Sequence, residues 1–232
     1  MHYDIWSPVY RAVLDDFGYG RAGDERARDV LADLVEPFDT RRLEALFEGR
    51  SVAVAGGAPS LAEMDELALV RNAEVVVGAS TAVDVLDGTG IDVDLMVTDL
   101  DKNTGTAREL THRGIPVAAH AHGDNVPAVR EWVPQFDPQH VIPTTQAEPR
   151  GPVENFGGFT DGDRAAFLAD HFGAHQLRFP GWDFEDPTVG PEKRRKLVWA
   201  ERLLHWLERR RDERFPVLDG RREAIDTSSL PL

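Results

Sequence analysis

The chain contains no cysteine. Disulfides and thiolate metal sites are therefore excluded, and a reducing, cytoplasmic home is expected. Lysine is almost absent, with only Lys102, Lys193 and Lys196 among 26 basic residues. No apolar run approaches the length of a membrane span, and the opening residues do not read as a charged-then-apolar leader. Positive charge is scarce overall, and the formal net charge is -15. That surface disfavours nucleic acid and anionic membranes as partners. It suits a salt-rich interior, where screening weakens self-repulsion.

What is present is a core. Hydrophobic residues make up 41% of 232 positions, enough for one generous α/β domain. Residues 1–47 read as an N-terminal helical extension that caps the sheet, with Trp6, Val9, Tyr10, Val13, Leu14 and Phe17 at helical spacing. Asp24 reads as the cap of a second helix. Residues 48–212 read as the α/β body. Apolar runs at 51–55, 74–78, 95–97, 115–119, 141–142 and 176–179 alternate with amphipathic segments. Such alternation predicts a mostly parallel, Rossmann-like sheet flanked by helices. Residues 213–232 read as a C-terminal tail, its last dozen residues polar, Pro-ended and loose.

In sheets of this kind, ligands sit beyond the carboxyl ends of the strands. Nearly every predicted strand ends there in an uncommon sequence. The 51–55 run meets Gly56-Gly57-Ala58-Pro59-Ser60-Leu61, which is either a phosphate-receiving turn or an ordinary turn capped by Ser60. The 95–97 run meets Asp99 and Asp101, with Lys102 beside them. The 115–119 run meets His120-Ala121-His122-Gly123-Asp124-Asn125. Gln146 and Asp183 follow later strands, and Asp161 and Asp163 open a helix. Loops at one end of a parallel sheet converge, so Asp99, Asp101, Asp124, Asp161 and Asp163 can share one pocket. Like charges there repel and raise one another's pKa, and a divalent cation relieves the penalty. Hard oxygen donors favour magnesium, with substrate phosphates completing the shell. His120-x-His122-x-Asp124 is open to a second reading, a zinc hydrolase site. Alternate residues of a strand point to opposite sides, which weighs against it. Phe156, Phe159, Trp182 and Phe184 are either core aromatics or a stacking surface for a flat heterocycle.

Taken together, Gly57-Ala58-Pro59-Ser60-Leu61, Thr98-Asp99-Leu100-Asp101, His120–Asn125, Asn155-Phe156-Gly157-Gly158-Phe159-Thr160-Asp161-Gly162-Asp163-Arg164, Gly181-Trp182-Asp183-Phe184 and Lys193…Lys196-Leu197 resemble the archaeal 6-hydroxymethyl-7,8-dihydropterin pyrophosphokinase family. The likeness covers roughly residues 5–210, and the Asn155–Arg164 run is its most specific part. The resemblance implies a catalytic domain related to thiamine pyrophosphokinases. It also implies diphosphate transfer from ATP to the pterin hydroxymethyl oxygen with Mg2+, serving folate or methanopterin synthesis. The acidic, lysine-poor composition points to a haloarchaeal member.

Under that resemblance, Asp99, Asp101 and Asp124 would hold the metal and, with Arg164, form the catalytic set. Gly57, Ser60, Leu61, His122, Asn125, Asp161 and Asp163 would bind the nucleotide, and Asn155, Phe156, Trp182 and Asp183 the pterin. Three departures bear on nucleotide details. Ala58 replaces a second glycine, Val77-Gly78-Ala79-Ser80 lacks an expected acid, and Lys102 replaces a glycine. The rivals are a metal-dependent phosphohydrolase, a nucleotide-sugar transferase on the same fold and a non-catalytic nucleotide-binding module. The expected partners are the two small molecules, and a homo-oligomer is left open.

Overall fold

A computed structural model describes all residues, 1–232. Three helices come first: α1 (Tyr3–Phe17), α2 (Arg21–Ala32) and α3 (Arg41–Phe47). The body then runs β1 (Ser51–Ala55), α4 (Met64–Arg71), β2 (Val75–Ala79), α5 (Ala82–Gly88), β3 (Leu95–Thr98), α6 (Thr104–His112), β4 (Val117–Ala121), α7 (Val126–Trp132) and β5 (Val141–Thr145). It ends with α8 (Asp161–His171), β6 (Gln176–Arg178) and the long α9 (Pro191–Arg211).

The sheet has six strands in the order β5-β4-β3-β2-β1-β6, and every pairing is parallel. The first five strands step outward in one direction. The chain then returns to lay β6 against the other side of β1. The strand order reverses at β1, and a reversal of this kind opens a crevice beyond the strand ends.

Strand side chains alternate between two cores, as a pleat of period two requires. Val52, Val54, Val77, Leu95 and Val97 face a layer built from α1, α3, α8 and α9, with Trp6, Phe167, Trp199 and Trp206 fully buried. Val76, Met96, Val117, Ala119 and Val141 face a layer built from α2, α4, α5, α6 and α7. Covered on both sides, the central strands can be apolar throughout. The N-terminal helices therefore divide between the layers. Helices α1 and α3 lie in one, and α2 brings Ala27 and Leu31 to the other.

Two expectations need correction. The tail is not loose, its last dozen residues included, since Leu230 is buried against the first core. Phe215 and Leu218 are fully buried in the first core, and Arg222 bonds Glu208 of α9. Asp24 does not cap α2. The helix starts at Arg21 with Gly20 at its N-cap, and Asp24 falls on its buried face with Ala27, Arg28 and Leu31.

Candidate active site

A cavity of about 700 Å³ lies at the carboxyl end of the sheet, beside the β1–β6 reversal. The strand ends supply most of its wall. Gly56 and Gly57 come from β1, Ser80 and Thr81 from β2, Asp99, Asp101 and Lys102 from β3, and His122–Asp124 from β4. Gln146 follows β5, Asp161 and Arg164 open α8, and Trp182 and Asp183 follow β6. Lys193 and Lys196 stand on the first turns of α9. All three lysines of the chain thus reach one cavity.

Backbone geometry at the β3 end is unusual. Leu100 adopts φ 64 in the left-handed region, which side chains other than glycine seldom occupy. Its side chain is nonetheless buried, and its N–H donates to Thr98 Oγ1 at 3.0 Å. The turn holds Asp99 and Asp101 toward the cavity, with the Asp101 N–H donating to Asp99 Oδ1 at 3.3 Å. Ser80, at the end of β2, is also left-handed, at φ 48. Strain of this kind gathers where a site must be shaped.

Asn125 anchors the floor. Its Nδ2 donates to Asp99 O at 2.6 Å and His120 O at 2.7 Å, and its Oδ1 accepts from the His122 N–H at 3.0 Å. One buried amide thereby ties the ends of β3 and β4. Gly158, at φ 93, lies directly on α8, where a Cβ would stand 2.6 Å from Arg164 Cα. That contact seats the first turn of α8 and its arginine.

The acids are not equivalent. Burial works to raise Asp99, but His122, whose Nε2 is 3.6 Å away, together with Arg164 and Asp101, holds it well below the usual carboxylate range. Burial and the Asp99 charge push Asp101 up. Burial and the same negative neighbour push Asp161 up to about 8, although Arg164 Nη1 donates to it at 3.1 Å. The crowded carboxylates are therefore Asp99, Asp101 and Asp161. Asp124 is exposed and lines the cavity on a separate turn. Asp99, Asp101 and Asp124 all line the cavity, but no three His, Asp or Glu side chains form a ready-made metal cage.

Of the residues singled out from sequence, Gly57, Asp99, Asp101, His122, Asp124, Asp161, Arg164, Trp182 and Asp183 line the cavity. Six others do not. Leu61 is core, and Ser60 sits in a short 3-10 turn behind Gly57. Asn125 serves as the strand tie. Asn155 donates to Ala147 O at 2.7 Å and accepts from the Gly157 N–H at 2.8 Å, so it shapes its own loop. Phe156 packs edge-on against Phe172, at 5.2 Å between ring centroids. Asp163 is fully buried and accepts from Phe159 and Thr160 at the α8 N-cap.

The paired-histidine reading also loses its support. His120 is buried, bonds Thr144 Oγ1 at 3.0 Å, and its ring centroid lies 6.3 Å from that of His122. Burial, with the Arg164 charge, keeps it neutral well below the usual histidine range.

Trp182 is the best-placed aromatic. Its Nε1 donates to Val54 O at 2.9 Å. Its ring covers Gly56 and Gly162, where a Cβ would come within 2.8 Å and 2.6 Å of the indole. The cavity thus pairs an anchored flat surface with crowded carboxylates and a cationic rim. Sequence reasoning missed Asp24, Tyr19 and Arg26, which enter the wall from the N-terminal helices. For Asp24 a signal was available, since an acid three residues before Ala27 and seven before Leu31 lies on the helix's apolar face.

Comparison with known proteins shows the family. A family model described as 6-hydroxymethylpterin diphosphokinase MptE-like matches residues 28–188. A protein of Methanothermobacter thermautotrophicus is 36% identical over 231 residues, covering 93% of this chain and 99% of its own. One of Methanocaldococcus jannaschii is 31% identical, covering 88% and 94%. One of Pyrococcus furiosus is 34% identical, covering 90% and 95%. Each of the three is named 6-hydroxymethyl-7,8-dihydropterin pyrophosphokinase.

Proposed function

The chain belongs to the MptE-like 6-hydroxymethylpterin diphosphokinase family, and from that premise we propose that it transfers a diphosphate from ATP to the hydroxymethyl group of 6-hydroxymethyl-7,8-dihydropterin. The pterin oxygen attacks the β-phosphorus. The bond from that phosphorus to the oxygen bridging it to the α-phosphorus breaks, and AMP leaves with that oxygen. One observation carries the reading. Three crowded carboxylates, a buried arginine and every lysine of an otherwise lysine-starved chain meet in one cavity.

Phosphoryl transfer asks a protein mainly for positioning and charge neutralisation. Arg164 supplies a fixed guanidinium, already held by Asp161 and Gln146. Lys193 and Lys196 supply mobile charges on α9, and Lys102 a third beside Asp101. Trp182 offers a ring face for the flat pterin or adenine, and Asp183 an acceptor at its edge.

The donor set fits magnesium. It is oxygen only, and two carboxylates with the remaining positions left to phosphate and water is how that ion is usually bound in nucleotide sites. Asp99 and Asp101 would hold it. When bound, it would neutralise phosphate charge and relieve the repulsion among the acids.

The test is nucleotide product analysis at high salt with ATP, magnesium and the reduced hydroxymethylpterin. The expected outcome is AMP in step with acceptor consumption, and none when acceptor or magnesium is withheld. AMP or ADP released equally without acceptor would refute transfer in favour of hydrolysis.

A further inference from the structure

The first turn of α2 crosses the turn after β4 at backbone contact. A Cβ on Gly23 would stand 3.3 Å from Gly123 Cα. The crossing places Asp24, only 4% exposed, at the inner wall of the cavity. Its Oδ1 accepts from the Gly123 N–H at 2.7 Å. Its Oδ2 accepts from Tyr10 Oη at 2.6 Å and Gln146 Nε2 at 2.9 Å. All three donors are neutral, an expensive environment for a buried carboxylate. A mere staple would be served as well by neutral groups.

What the charge adds is direction. An ionised carboxylate only accepts, so the Gln146 amide must turn its NH2 toward Asp24. Gln146 Oε1 then faces the other way, and Arg164 Nη2 donates to it at 3.3 Å. Arg164 Nη1 continues to Asp161 at 3.1 Å. Its Nε is buried without a partner, so these contacts fix the guanidinium plane.

We propose that Asp24, on the N-terminal helices, is a positioning residue for phosphate binding and transfer, acting on Arg164 through the polarity of Gln146. This rests on the diphosphate-transfer reading. Helix α2 then belongs to the active site rather than to a detachable cap.

The polarity argument makes a specific rescue available. In Asp24→Asn, an oxygen still serves Gly123, and an NH2 replaces Oδ2. Gln146 must then flip to present its oxygen to Asn, which leaves its NH2 against the Arg164 guanidinium. Adding Gln146→Glu restores an acceptor at both ends and moves the negative charge by one link. We expect Asp24→Asn to lose about tenfold or more in kcat/KM and in ATP affinity, the size of a charge-assisted hydrogen bond. The double variant should recover to within about threefold of wild type, beyond any recovery in melting temperature. Gln146→Met, which leaves Asp24 with Tyr10 and Gly123, should show the same loss and covers the case in which Asp24→Asn does not fold.

Wild-type kinetics and affinity in Gln146→Met or Asp24→Asn would overturn the proposal. So would a folded double variant no better than Asp24→Asn. Calorimetric titration with ATP keeps the two readings apart. A wild-type chain that binds ATP and makes no AMP refutes transfer, and the relay is then judged on the affinity series.

Discussion

Two places in this molecule bury carboxylates, and they are built on opposite principles. In the seam between α9 and the C-terminal segment, Glu208 is 5% exposed and fully answered. Arg222 donates to it through Nε at 2.8 Å and Nη2 at 2.7 Å, and the Phe215 N–H donates at 2.6 Å. Burial works to raise its pKa, but these donors outweigh burial and hold it below its usual range. In the cavity, Asp99, Asp101 and Asp161 crowd one another, and Arg164 is their nearest fixed cation. The seam spends charge on cohesion. The cavity crowds acids more tightly than its fixed arginine answers, so Asp101 and Asp161 are pushed up. Buried charge thus marks function where it is left uncompensated, and mere stability where it is matched.

The contrast can be broken from either side. The largest effect should come from Asp99→Asn, which removes one of the two acids proposed to hold magnesium. Turnover should fall by roughly 10²–10³-fold, while a cooperative thermal melt is kept, its midpoint lowered by loss of the charge that His122 and Arg164 hold. Steady-state kinetics beside thermal melts check this, and near-normal turnover would remove Asp99 from the site. Glu208→Ala is the mirror experiment. It strands Arg222 and the Phe215 N–H, and should cost about 3 kcal/mol in urea unfolding with kcat unchanged. A drop in kcat without loss of stability would erase the distinction.

Lys193 sharpens the cavity's half. Lys193→Ala should lower kcat/KM by about tenfold, and Lys193→Arg by less, because charge is kept while the compact ammonium is lost. Equal kinetics in all three forms would count that lysine as rim decoration.

The smallest effect is one of pH, at a half-buried group near the C-terminal end of α8. Burial and the adjacent Met1 amino group, 2.7 Å from Nδ1, push His171 down to about 4 from its ordinary 6.5. Between those values the unfolded chain binds the extra proton, so stability falls as pH drops from 6.5 toward 4. Thermal melts across that window should show the decline, and His171→Gln should flatten it.

The architecture was legible because it rests on periodicity. β-Branched runs such as Val75-Val76-Val77 and glycine-punctuated helices specify buried parallel strands almost by themselves. The position of the site followed, since parallel strands send their following loops to one end. The boundaries of β4 and β5 were less legible. His120, Ala121, Thr144 and Thr145 continue those strands although they look like loop residues. Cross-strand pairing decides that, and pairing is not written in either strand alone.

The sequence by itself determined a parallel α/β sheet, an acid-rich carboxyl end and the family, because hydrophobic spacing and contiguous motifs are local properties of the chain. Only the tertiary structure decided which polar residues face the cavity. Asn125, Asn155 and Asp163 are of the same residue types as the groups that meet a ligand, yet they spend their hydrogen bonds on backbone. Asp24 looked like a helix cap and instead joins Gly123 and Gln146, 99 and 122 positions away. A side chain's role is fixed by the partners that reach it, and those arrive only when distant segments close around it.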